Sequence, residues 1–191
     1  MLEVEYAQSS AESAQAGLTH HAILPRAGAR GWMLALGTDA AGKPWGSPGL
    51  DRLLQRFRSA PEPKSLGVFL SNLIRNAYKR HQLTALVGCA LRFDRVVVAR
   101  SGPASCYVIR NNYATLLTLD RVEVTDYQLR AGDVLLLCTE SAFRSVKGSE
   151  IAEIATRATD LAFAANQLSV RGKAPLVMIR IQALRVTKAA S

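Results

Sequence analysis

No apolar run in this sequence approaches the roughly 18 residues that carry a helix across a bilayer, so a membrane span is not expected. The opening MLEVEYAQSSAES has neither a basic stretch nor an apolar core, so a secretory leader is not expected either. Cysteine is scarce. Cys89, Cys106 and Cys138 each fall in an apolar, strand-like segment, and no pair has the short spacing of a zinc or redox motif. Buried free thiols in a reducing cytoplasm are the expectation. Histidine is limited to His20, His21 and His81, with no carboxylate or cysteine close to the pair, and loop or surface roles are expected. There is no G-x-S-x-G elbow. The glycine-rich GTDAAGKPWGSPG is not a phosphate-cradling GxxxxGK[ST] loop, because Pro44 follows Lys43.

Acidic residues are the minority, 15 against 24 Lys and Arg, for a net charge of +9 and a pI near 9.9. That balance invites a nucleic-acid reading, but the basic residues are spread along the chain. Aromatics are only 6% of it, and no tract interleaves the two. Arg52 and Arg56 lie opposite the apolar stripe of their predicted helix, as on a solvated face. Attraction to an acidic or phosphorylated partner fits the charge better than nucleic acid does.

What is present is a core. The 191 residues are 49% hydrophobic with mean hydropathy +0.07, which predicts one folded domain over 1–191. GWMLALG reads as a buried strand. In GLDRLLQRFRSA, Leu50, Leu53, Leu54 and Phe57 recur at helical spacing, and Pro61-Glu62-Pro63 breaks that helix. Leu66, Phe69, Leu70, Leu73, Ile74 and Ala77 predict a second helix over 66–80. After Gln82 the period shortens: TALVGCALRF, DRVVVARSG, ASCYVIRNN and YATLLTLD read as antiparallel strands. Phe93-Asp94-Arg95 and Arg110-Asn111-Asn112 read as hairpin connections. VEVTDYQLRAGD leads to the strand VLLLCTE. GSEIAEIATRATDLAFAANQL predicts one helix over 149–166, capped by Ser149, and PLVMIRIQAL is a last strand.

Several segments resemble the metal-dependent PP2C (PPM) serine/threonine phosphatases. VVVARSGPASCYVIRNNYATLLTLD resembles the family's "vahvGDSRaYlyRdGel.qLT.DH", and LRAGDVLLLCTESAFRSVKGSEIAEIA resembles "l.pGDvlLLcSDGLtd.vsdeeia.i.". GWMLALGTDAAGK stands in the place of "g.lfaVADGmGGh", and GKAPLVMIRI in that of "DNiTvvvvrv". Matches in order cover about residues 30–181 and are strongest over 84–155. The resemblance implies an α+β fold: a PP2C-like α/β/β/α sandwich of two mainly antiparallel sheets flanked by helices.

It also implies chemistry. The family's aspartates hold two divalent metals, Mg or Mn, which activate water for in-line attack on phosphate. The matching positions here are Thr38 (with Asp39 beside it), Pro103, Glu140 and Gly172. Glu140 alone keeps a carboxylate in place, and a lone carboxylate with a displaced aspartate is a poor cradle for two dications. The family's phosphate-binding arginine has no counterpart in EYAQSSAESAQAG. The expectation is therefore a pseudophosphatase with no catalytic residue, no bound metal and no cofactor. It would act as a regulatory or scaffold domain on a protein partner such as a kinase or phosphoprotein. Lys43 and Lys173 are candidates for anion binding at the vestigial site. The alternative is a divergent Mg- or Mn-dependent phosphatase using Asp39 and Glu140, and a basic nucleic-acid-associated module ranks third. Asp94, Asp120, Asp126 and Asp133 are expected to serve turns and surface rather than a metal.

Overall fold

The computed structural model describes residues 2–9, 32–39, 45–60, 63–118, 124–139 and 146–184. Among these described residues, nine strands make two sheets. The first has the order β1–β9–β8–β5–β6: β1 Leu2–Ser9, β5 Ala104–Arg110, β6 Tyr113–Leu116, β8 Val134–Thr139 and β9 Leu176–Leu184. The second has the order β2–β3–β4–β7: β2 Trp32–Thr38, β3 Ala85–Arg92, β4 Arg95–Ser101 and β7 Val124–Gln128. Every neighbouring pair is antiparallel. Four helices among the described residues flank them: α1 Ser47–Ser59, α2 Leu66–Arg80, α3 Gly148–Arg157 and α4 Leu161–Gly172.

The near-continuous apolar runs follow from this layering, since a strand covered on both faces has no solvent side to mark with polar residues. Side chains alternate between two different cores. Leu34, Leu36, Val87, Cys89, Val98, Cys106, Leu135, Leu137, Val177 and Ile179 fill the space between the sheets. Met33 and Ala35, one step out of phase, pack instead with Leu50, Leu54, Phe57, Leu70 and Ile74 of α1 and α2. Leu136, Cys138 and Met178 meet Ile151, Ala155, Leu161, Ala165 and Leu168 of α3 and α4. The result is the α/β/β/α sandwich expected from the sequence.

Local chemistry sets the ends of the elements. Ser65 caps α2, its hydroxyl accepting from the Val68 amide at 3.4 Å. The hairpin between β5 and β6 turns on Asn111 and Asn112, both at positive φ (50° and 63°), the geometry of a two-residue hairpin loop.

Four details differ from expectation. Residues 2–9 form a strand, β1, paired along β9 from Leu2–Leu184 to Ser9–Leu176. The helix expected over 149–166 is two helices. Ala158 is extended (φ −72°, ψ 121°), and Asp160 caps α4 by accepting from the Ala162 amide at 2.7 Å. Ser149 lies inside α3, whose N-cap is Lys147 with no side-chain cap bond. Finally, α1 starts at Ser47, ahead of the expected Gly49, because Pro48 is pre-organised for a first helical turn.

Candidate functional site

The strand register decides which sequence positions share one end of the sandwich. Thr38, the last residue of β2, lies opposite Ala85, the first of β3, and Leu86 lies opposite Ser101, the last of β4. A short corner, Gly102-Pro103, carries the chain from β4 into β5 and so from one sheet to the other. Ala104 pairs with Thr139 at the end of β8, and Cys138 pairs with Leu176 at the start of β9. Gly172 and Lys173 end α4 just before β9, with Lys173 in the left-handed conformation (φ 51°). Thr38, Asp39, Pro103 and the Gly172-Lys173 turn therefore belong to the same end. Glu140 follows Thr139 directly, but Glu140, Lys43, Asp120, His20 and His21 lie outside the described residues.

Thr84 ties this end together. Its hydroxyl donates to the Asp39 carbonyl at 2.7 Å, and its amide donates to the Thr38 carbonyl at 3.0 Å. With that hydroxyl proton committed, the 3.0 Å contact between the two threonine hydroxyls has Thr38 as donor. The Thr84 carbonyl closes against Gly102, where a Cβ would stand 2.4 Å from that oxygen. Gly102 is at φ +74°, so both space and backbone require glycine. Thr84 was not singled out in the sequence, where it reads only as a polar residue opening a strand.

The donor chemistry here can be compared with a two-metal site. Thr38 offers a neutral hydroxyl, 5% exposed and already bonded. Pro103 has no side-chain donor and Gly172 has no side chain. Asp39 is the described carboxylate among the matched positions, and the described residues contain no group of three His, Cys, Asp or Glu suited to an ion. Two hard dications want several charged oxygens. The described residues at these positions do not fit the Mg or Mn pair that the fold implies.

Asp133, Asp126 and Asp94 have structural occupations. Asp133, 1% exposed at the opposite end, receives two bonds from Arg110 (Nε at 2.7 Å, Nη2 at 2.6 Å) and one from the Arg130 amide at 2.7 Å. The pairing holds the Arg110 guanidinium above its ordinary pKa, through the hydrogen bond to Asp133 first. Asp126 pairs with Arg95 at 2.9 Å on the surface, and Asp94 accepts from Gln128 at 3.1 Å. The three cysteines are buried and free. Burial pushes the Cys89 thiol up to about 12 and raises Cys106 as well, so neither is a thiolate nucleophile at neutral pH.

No protein-family model and no curated protein matches the chain. Solved structures do. The catalytic domain of the serine threonine protein phosphatase PstP, in complex with 2 manganese ions, superposes with TM-score 0.62 at 18% identity, over 96% of this chain and 100% of that one. Serine/threonine phosphatase Stp1 from Staphylococcus aureus gives 0.69 at 17% identity, over 96% and 95%. PppA, described as a key regulatory component of T6SS in Pseudomonas aeruginosa, gives 0.58 at 14% identity, over 93% and 97%. The chain has the PP2C-type phosphatase fold.

Proposed function

We propose that the chain is a catalytically inactive PP2C-like domain that acts through protein interaction, as a regulatory or scaffold component of cytoplasmic phospho-signalling. One observation carries the reading: the donor set at the end of the sandwich. Where the family brings aspartates together, this chain offers a bonded threonine with Asp39 beside it, a proline, a glycine and, outside the described residues, Glu140 as a lone carboxylate in place. Metal-assisted hydrolysis needs a water held and acidified between cations, and a lone glutamate with a displaced aspartate is a poor cradle for two of them. The described residues nevertheless keep the layered frame, with three packed cores among them. Keeping a frame while losing its ligands is consistent with a domain retained for its surface. PppA, described as a regulatory component, lends a precedent by fold alone. A kinase or phosphoprotein is the partner the basic charge would favour. Lys173, exposed in its turn at this end, would add a point charge to such a contact.

The direct test is hydrolysis. Purified protein in millimolar Mn²⁺ or Mg²⁺ is expected to release no phosphate from p-nitrophenyl phosphate or a phosphopeptide above a no-protein control. Metal-dependent turnover that disappears in Glu140→Ala would overturn the reading and identify a divergent phosphatase built on Asp39 and Glu140.

A further inference from the structure

A second concavity lies between α1 and α2 and uses none of the positions above. Trp45 forms its wall. Its amide donates to the Gly37 carbonyl at 2.7 Å, which anchors it beside the end of β2. Its indole rests on Gly49, where a Cβ would come within 2.3 Å of a ring carbon, and its ring centroid is 5.0 Å from that of His81. Arg52 and Arg56 of α1 and Arg80 of α2 complete a cavity of about 120 Å³. One water takes about 30 Å³ of liquid, so the space admits a tetrahedral oxyanion.

The charge arrangement is one-sided. None of the described lining residues is acidic. Among the described residues no carboxylate or carbonyl partners the guanidinium groups of Arg52, Arg56 or Arg80. Arg56 and Arg80 lie in the last turns of their helices, where the dipole welcomes a cation. That does not account for Arg52, one turn earlier on α1, since like charges at this spacing repel. A bound anion would relieve the repulsion and engage planar, multidentate donors.

We propose that this cavity is an oxyanion site for a phosphate group, with Arg52, Arg56 and Arg80 as ligands and Trp45 and His81 as its wall. His81 reports on it. Its proton affinity is held below the ordinary 6.5 by burial first, then by Arg80 on its own helix and Arg52 and Arg56 across from it. A dianion among those arginines reverses their effect, so His81 takes up a proton on binding. The site does not rest on the inactive reading of the sandwich end, and it stands whether or not that end turns over substrate.

The test titrates the protein at about 150 mM salt, where nonspecific attraction is screened over roughly 8 Å. The probes are inorganic phosphate, a phosphoserine peptide and the same peptide unphosphorylated. The expected result is saturable phosphate binding with a rise in the His81 titration midpoint by NMR. Arg52→Gln/Arg56→Gln weakens binding at least tenfold. Arg75→Gln/Lys79→Gln removes the same charge from α2 outside the cavity and leaves binding unchanged. Should the first pair fail to fold, Arg80→Gln reads the same loss. A phosphopeptide that binds tighter than phosphate assigns the site to phosphoproteins, and equal affinity assigns it to the free ion; both uphold an oxyanion site. No saturable binding by the parent, or equal weakening in both double variants, overturns it.

Discussion

Gly102 concentrates the constraints on the sheet-to-sheet corner. Its positive φ and the 2.4 Å approach of the Thr84 carbonyl leave no room for a methyl group, and that carbonyl is backbone, which cannot swing aside. Gly102→Ala is expected to destabilise the protein by about 2 kcal/mol or more, read as a lowered midpoint in urea with an unchanged slope. Because Thr84 also binds Thr38 and Asp39, the damage should spread across the corner: amides near residue 38 would exchange faster even where the variant remains folded. Wild-type stability in Gly102→Ala would mean that the corner bends freely.

At the level of elements, the break between α3 and α4 depends on Asp160. Its carboxylate satisfies the Ala162 amide, and the Arg180 guanidinium closes the other side by donating to the Ala158 carbonyl at 2.9 Å. Asp160→Ala should cost about 1 kcal/mol in chemical denaturation, as loss of an N-cap does. A cost near zero would show that packing alone sets the break. The sequence concealed it because both helices lie on one sheet face, so Ile151, Ala155, Leu161 and Ala165 continue a common apolar pattern across the kink. By contrast α2, packed by a single stripe, was legible to its ends at 66 and 80. The antiparallel strands were legible too, since their apolar segments are separated by turn residues such as Asn111-Asn112. β1 was not read, because its partner β9 lies at the far end of the sequence and no local turn joins them. Arg52 and Arg56 are exposed, as the solvated face read from helical spacing requires, although spacing alone does not show that Arg80 of α2 stands beside them.

Across the whole molecule, one thiol from each of β3, β5 and β8 reports on the cores. Cys89 and Cys106 sit between the sheets and Cys138 under the helices, all at 0% exposure. Labelling by a thiol reagent should therefore be negligible in the native state and should proceed for all three only through global opening, with one common rate. A cysteine that labels much faster than the others would show that its layer opens separately. The pairing of β1 with β9 sets a different constraint. The Glu5–Arg180 contact at 3.1 Å joins groups 175 positions apart, whereas β2, β3, β4 and β7 are all complete by Gln128. On a ribosome adding about 5–20 residues per second, the second sheet can assemble hairpin by hairpin while β1 waits on the order of ten seconds or more for its mate. The first sheet therefore closes only once β9 has been made, and until then β1 is an open edge that must be kept from pairing with a stranger.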